Sequence, residues 1–141
     1  MFGGESQKHE LLREVPFFRN LSKQSLEEIA KITDEVHQKA GAVLAQQGDI
    51  GQEFIFIMEG EAKVEKDGNI VNKLAPHGFF GEISIIDGQP RTATVTAETD
   101  VKLLVIHSRY FKELLEKVPG LAIEALTALC KYLREAQAKN A

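Results

Sequence analysis

At 141 residues the chain is long enough for one compact domain with a true core and too short for two. Hydrophobic residues make up 43% and charged residues 27%, the balance of a folded globular protein and not of a disordered one. A net charge of −4 argues against a protein whose main task is holding nucleic acid, yet leaves a small anionic ligand open.

In chain order, Met1 to Glu10 is polar and contains glycines, with no apolar core for a signal peptide. Leu11, Leu12 and Val15 then lead to Pro16, which stops any helix there. Ser22 is placed to cap a helix over residues 22–31, with Leu26, Ile29 and Ala30 on its inner face. From residue 33 to 107 the period changes to short strands. Gln47-Gly48-Asp49-Ile50-Gly51 is a turn cluster, and residues 53–58 form an apolar run that predicts a strand buried on both faces. That run, the longest of its kind, falls far short of the roughly 20 residues needed to cross a bilayer. Ala62 and Val64 alternate with charges, and Lys66-Asp67-Gly68-Asn69 signals a hairpin into a strand over 70–74. Strands are expected at 92–97 and 101–106. Many short strands at close spacing imply a jelly roll, so the fold class is mainly β with flanking helices.

After His107 the helical period returns. Ser108 can cap a helix that Pro119-Gly120 ends, and a last helix is expected over 121–137 with an apolar stripe at Ala122, Leu126, Leu129 and Leu133. The single cysteine, Cys130, excludes an internal disulfide, and its apolar neighbours predict a small buried thiol. The whole chain reads as one domain: helices over 8–31, a β-roll over 33–107 and C-terminal helices over 108–138.

One stretch departs from strand-turn grammar. Between two strands, residues 82–86 leave room for about one helical turn, with Gly81 immediately before it. A glycine there lets backbone approach a ligand, and the amides that follow favour an anion. Arg91 supplies a planar cation suited to phosphate oxygens. Glu82, an acceptor when ionised, suits hydroxyl groups. Together they imply a sugar phosphate. On residue chemistry alone, a loop with a surface ion pair fits these residues equally well.

Phe80-Gly81-Glu82-Ile83-Ser84, a spacer, and Pro90-Arg91-Thr92-Ala93 resemble the phosphate-binding cassette of cyclic-nucleotide-binding domains. That family includes the bacterial catabolite activator, the regulatory parts of cyclic-nucleotide-dependent kinases, and cyclic-nucleotide-gated channels. The similarity extends over nearly the whole chain, with Gln47-Gly48-Asp49 and the segment from Phe54 to Ala62 resembling the family's glycine-bearing turns and strands. The resemblance implies a double-stranded β-helix (jelly roll) with N-terminal helices and C-terminal hinge and lid helices. It also implies that Glu82 accepts the ribose 2′-hydroxyl, that Arg91 pairs with the exocyclic phosphate oxygens, and that the amides of Gly81, Ile83 and Ser84 complete the cradle. Ser84 stands where many members have alanine or glycine. Thr92 is common in cyclic-GMP receptors and also in bacterial cyclic-AMP receptors, so it permits either purine; cyclic AMP is expected ahead of cyclic GMP. Val71 and Asn72 could border the base, and Leu129, Tyr132 and Leu133 could form its lid. The alternative for the last three is core or dimer contact for the leucines, with Tyr132 exposed.

No enzyme is expected. The histidines His9, His37, His77 and His107 are scattered, with no metal-ligand spacing, and no serine has a nucleophile-elbow setting. No metal and no cofactor beyond the cyclic nucleotide itself is expected. The chain stops at Ala141, which leaves no room for the helix-turn-helix of the catabolite activators, so no DNA partner is expected. The expectation is therefore a cytoplasmic sensor, off the membrane, that closes about a hinge over 107–118 and signals to an effector protein in trans. It would be a monomer, or a homodimer through the C-terminal helix. The competing expectation is a roll that keeps the fold as an interaction module without ligand.

Overall fold

The computed structural model describes residues 4–140, and the side chains of residues 8–138. Contacts divide the chain into two units, residues 32–112 and residues 1–31 with 113–141.

The unit 32–112 is the β-roll. It carries β1 (Asp34–Gln38), β2 (Val43–Ala45), β3 (Glu53–Glu59), β4 (Ala62–Lys66), β5 (Asn69–Leu74), β6 (Phe79–Phe80), β7 (Thr94–Ala97) and β8 (Val101–His107), with α3 (Glu82–Asp87) between β6 and β7. Two four-stranded antiparallel sheets result, ordered β1-β8-β3-β6 and β2-β7-β4-β5, which is the expected jelly roll. Alternation along β3 sorts its side chains by face. Ile55 and Ile57 pair in register with Val105 and Leu103, and these four join Ala45, Ala62, Val95, Ala97 and Val101 in the core shared by the two sheets. Phe54 and Phe56 occupy the opposite face of β3, where Phe54 stacks on Phe111 with centroids 5.3 Å apart. All four of residues 54–57 are buried, as the doubly apolar run predicts. Each such side chain contributes about 1.5–3 kcal/mol of transfer free energy. The Asp67-Gly68 turn joins β4 to β5 with positive φ at both positions, the conformation that matches a two-residue hairpin to strand twist.

The other unit holds α1 (Gly4–Leu12), α2 (Lys23–Lys31), the end of α4 (Ser108–Lys117) and α5 (Leu121–Asn140). Its buried residues include Leu12, Val15, Phe17, Phe18, Leu26, Ile29, Leu121 and Ala125. Ser22 caps α2 as expected, its Oγ accepting the Ser25 amide at 3.1 Å. The Asn20 side-chain amide donates to Glu124 at 2.7 Å.

Several expectations are corrected. Cys130 is exposed, not buried. Within the stripe read along α5, Leu126 and Leu133 are 56% and 59% exposed, while Leu121 and Ala125 are the buried residues. Periodicity shows which residues share a face; it does not show which face packs. The cap of α4 is made by His107, whose Nδ1 accepts the Arg109 amide at 3.2 Å, and Ser108 is already the first helical residue. The strand expected from residue 92 begins at Thr94, because Arg91 is held by hydrogen bonds to a neighbouring turn.

Candidate phosphate cradle

The candidate residues lie on the short connection from β6 through α3 to β7. Phe80 pairs with Ile55 and packs against the inner core, which fixes the entry of the segment. Gly81 then caps α3 with φ 107°, in the left-handed region that a side chain would strain. A Cβ on Gly81 would also run into the Glu53 carbonyl, and would lie 3.3 Å from Arg91 Nη1. The helix ends at Gly88, whose amide donates to the Ser84 carbonyl at 2.9 Å.

The far end of the segment is clipped to the turn of residues 46–51. Arg91 N–H donates to the Asp49 carbonyl at 2.7 Å, and Gly48 N–H donates to the Arg91 carbonyl at 2.8 Å. Thr94 Oγ1 accepts the Gln47 amide at 3.0 Å. The guanidinium is fixed separately: Arg91 Nη2 donates to the Glu53 carbonyl at 3.0 Å. Gly51 is buried under this group. A Cβ there would lie 2.6 Å from Ser84 Cβ and 3.4 Å from Arg91 Cζ, so only glycine lets the turn reach the cassette. The structure thus brings Gly81, Ser84 and Arg91 together, along with Gly51 and Glu53.

Electrostatics set the two ionisable groups apart from ordinary surface charges. Burial pushes the Glu82 carboxyl above its usual value, partly offset because it accepts its own backbone N–H. Burial lowers the Arg91 guanidinium, while the Glu53 and then the Asp49 carboxylates support its charge. Both groups are partly desolvated, the condition in which a charged hydrogen bond to a ligand is strong.

The remaining candidates are placed differently. Ile83 and Thr92 are exposed and Ala93 is half-buried. Val71 and Asn72 are exposed on the edge strand β5, where Asn72 Oδ1 accepts the Lys73 amide. Leu129 (half-buried), Tyr132 and Leu133 stand on α5 in the helical unit. Sequence reasoning missed Gly51 and Glu53 as parts of the cradle. The available signal was two glycines within four residues, Gly48 and Gly51, directly before a strand. Among the described residues, no group of three or more His, Cys, Asp or Glu is placed to hold a metal ion.

The roll of two antiparallel sheets thus carries an arginine and a glycine-capped helical turn on the connection between β6 and β7. The sequence profile of the cyclic nucleotide-binding domain matches residues 35–118, and the chain belongs to that family. A cyclic nucleotide-gated potassium channel of Mesorhizobium japonicum is 37% identical over 113 residues, covering 80% of this chain and 31% of the channel. The cAMP-dependent protein kinase regulatory subunit of Schizosaccharomyces pombe is 40% identical over 106 residues, 74% of this chain and 26% of that protein. Among solved structures, the catabolite activator protein of Thermus thermophilus superposes with a TM-score of 0.80 at 25% identity, covering 88% of this chain and 61% of that one. The chain therefore spans about a third or less of these two curated relatives. No described helix is long and apolar enough to cross a membrane.

Proposed function

We propose that the chain senses a 3′,5′-cyclic nucleotide, cyclic AMP ahead of cyclic GMP, and passes the signal to a partner protein in trans. The observation that carries this reading is the fixed, half-buried Arg91 guanidinium, bonded to the Glu53 carbonyl beside Gly81 and over Gly51. The cyclic diester is a monoanion with two exocyclic oxygens, which a planar guanidinium matches in shape as well as charge. In this reading the amides of Gly81, Ile83 and Ser84 donate to the same group, and the Glu82 carboxylate accepts the ribose 2′-hydroxyl. Thr92, being exposed, is free to meet either purine. The names of the relatives, a cAMP-dependent kinase subunit among them, support cyclic AMP as the first ligand. The chain acts by binding and release; no covalent step is assigned to it. Val71 and Asn72 are the residues of the roll proposed to border the base.

Thermal-shift measurements with cyclic AMP, cyclic GMP and 5′-AMP test the reading. A rise in melting temperature with cyclic AMP, a smaller one with cyclic GMP and none with the open dianion are expected. Silence with both cyclic ligands at millimolar concentration would leave an interaction module that has lost its nucleotide. Affinity capture with and without cyclic AMP tests the output, and identical partner sets would remove signalling in trans.

A further inference from the structure

The turn of residues 46–51 is tied by its backbone to the cassette and by one side chain to a hairpin. Gln47 N–H donates to Thr94 Oγ1 at 3.0 Å, and Gly48 N–H donates to the Arg91 carbonyl at 2.8 Å. Residues 47 and 48 therefore form the clip on the segment 91–94. The Gln47 side chain reaches elsewhere, to the tip of the β4–β5 hairpin. Its Nε2 donates to Asp67 Oδ1 at 2.9 Å, and its Oε1 accepts the Asp67 amide at 3.0 Å. A carboxamide donates and accepts at once, so one side chain makes two bonds to a single turn residue.

Three segments distant in sequence, 46–51, 66–68 and 91–94, thus meet at Gln47. Packing does little to hold the tip of the turn, because a Cβ on Gly48 would meet nothing within 4 Å. Gln47 itself is half-buried and Asp67 is exposed. We infer that Gln47 is a positioning residue for the cradle: by clasping Asp67 it holds the turn, and through Gly48 the Arg91 segment, in place before the ligand arrives. This rests on the cyclic-nucleotide reading of Arg91. Holding the segment beforehand removes an ordering cost from binding, so the clasp contributes to affinity. Arg91 is assigned to the phosphate, which both cyclic purine nucleotides share, so the contribution is the same for each.

Gln47→Met keeps the length and neutrality of the side chain and removes both hydrogen bonds. Gln47→Glu combined with Asp67→Asn restores both, with donor and acceptor exchanged in one of them, at the wild-type net charge. The tests are calorimetric titration with cyclic AMP and cyclic GMP, and amide hydrogen exchange of the unliganded proteins. Gln47→Met is expected to bind both nucleotides about three- to tenfold more weakly, the worth of about one hydrogen bond. The double variant is expected to return to within about twofold of the wild type. In Gln47→Met the Gly48 and Arg91 amides should exchange at least about threefold faster, with those of β3 and β8 unchanged. A residue needed only for stability would speed exchange throughout the roll and leave affinity intact below the melting temperature, which would overturn the inference. A loss confined to one purine, or a double variant that does not recover, would overturn it as well. If the wild type binds neither nucleotide, the functional reading of Arg91 falls. The exchange rates then stand alone: faster exchange at Gly48 and Arg91 supports the clasp, and unchanged exchange removes it.

Discussion

Two charged side chains carry the account at the level of single residues, and they predict different things. Replacing Arg91 with alanine removes the cation and leaves its partners desolvated, so ligand binding weakens by about 2–5 kcal/mol in a calorimetric titration. Replacing Glu82 with alanine removes one charged hydrogen bond and costs about 1.5–3 kcal/mol. Glu82 also bears on stability. Because burial raises its carboxyl above the ordinary 4.5, the folded chain holds that proton more tightly than the unfolded chain. Ionised Glu82 is therefore a cost to the fold that is absent below pH 4.5, grows as pH rises above it, and is complete above the raised value. Glu82→Gln is expected to melt at a higher temperature than the wild type at pH 7, with the advantage fading towards pH 4, while binding the nucleotide less well. A variant that melts lower at pH 7 would contradict the burial cost. Gaining stability while losing affinity is the mark of a group kept for its ligand.

Among the elements, the turn of residues 46–51 is as much part of the site as α3. Gly51 does not stand at positive φ, so its requirement is space alone, with Ser84 Cβ the obstacle at 2.6 Å. Gly51→Ala should lower stability by about 1–3 kcal/mol through overpacking and weaken ligand binding with it. Adding Ser84→Gly removes the obstructing atom and should restore most of the loss in a denaturant titration. A double variant no better than the single would place the strain elsewhere. This pairing also shows where sequence reasoning reaches its limit. The strand over 53–59, the Asp67-Gly68 hairpin, the Ser22 cap and the short helix after Gly81 were legible, because local periodicity and turn chemistry determine them. Glu82 and Arg91 were legible as chemistry beside a glycine. That Gly51 and Glu53 stand against Arg91 was not, since contacts between a turn and a segment some 40 residues later depend on the closure of the roll. The exposure of Leu126, Cys130 and Leu133 was hidden for a related reason: a stripe identifies a face without identifying its neighbour.

For the whole molecule, the two curated relatives named above extend well beyond the segment that this chain matches. Binding couples the ligand to the fold by mass action, and a ligand at a hundred times its dissociation constant adds about 2.7 kcal/mol to stability. In the proposed function one guanidinium, fixed between a turn and a helical turn, holds a cyclic phosphate. Side-by-side calorimetric titration of cyclic AMP into the wild type and Arg91→Ala tests it most directly. Saturable one-to-one binding by the wild type and a loss of at least about 30-fold in the variant are expected; equal affinity in the two proteins would overturn the role of Arg91.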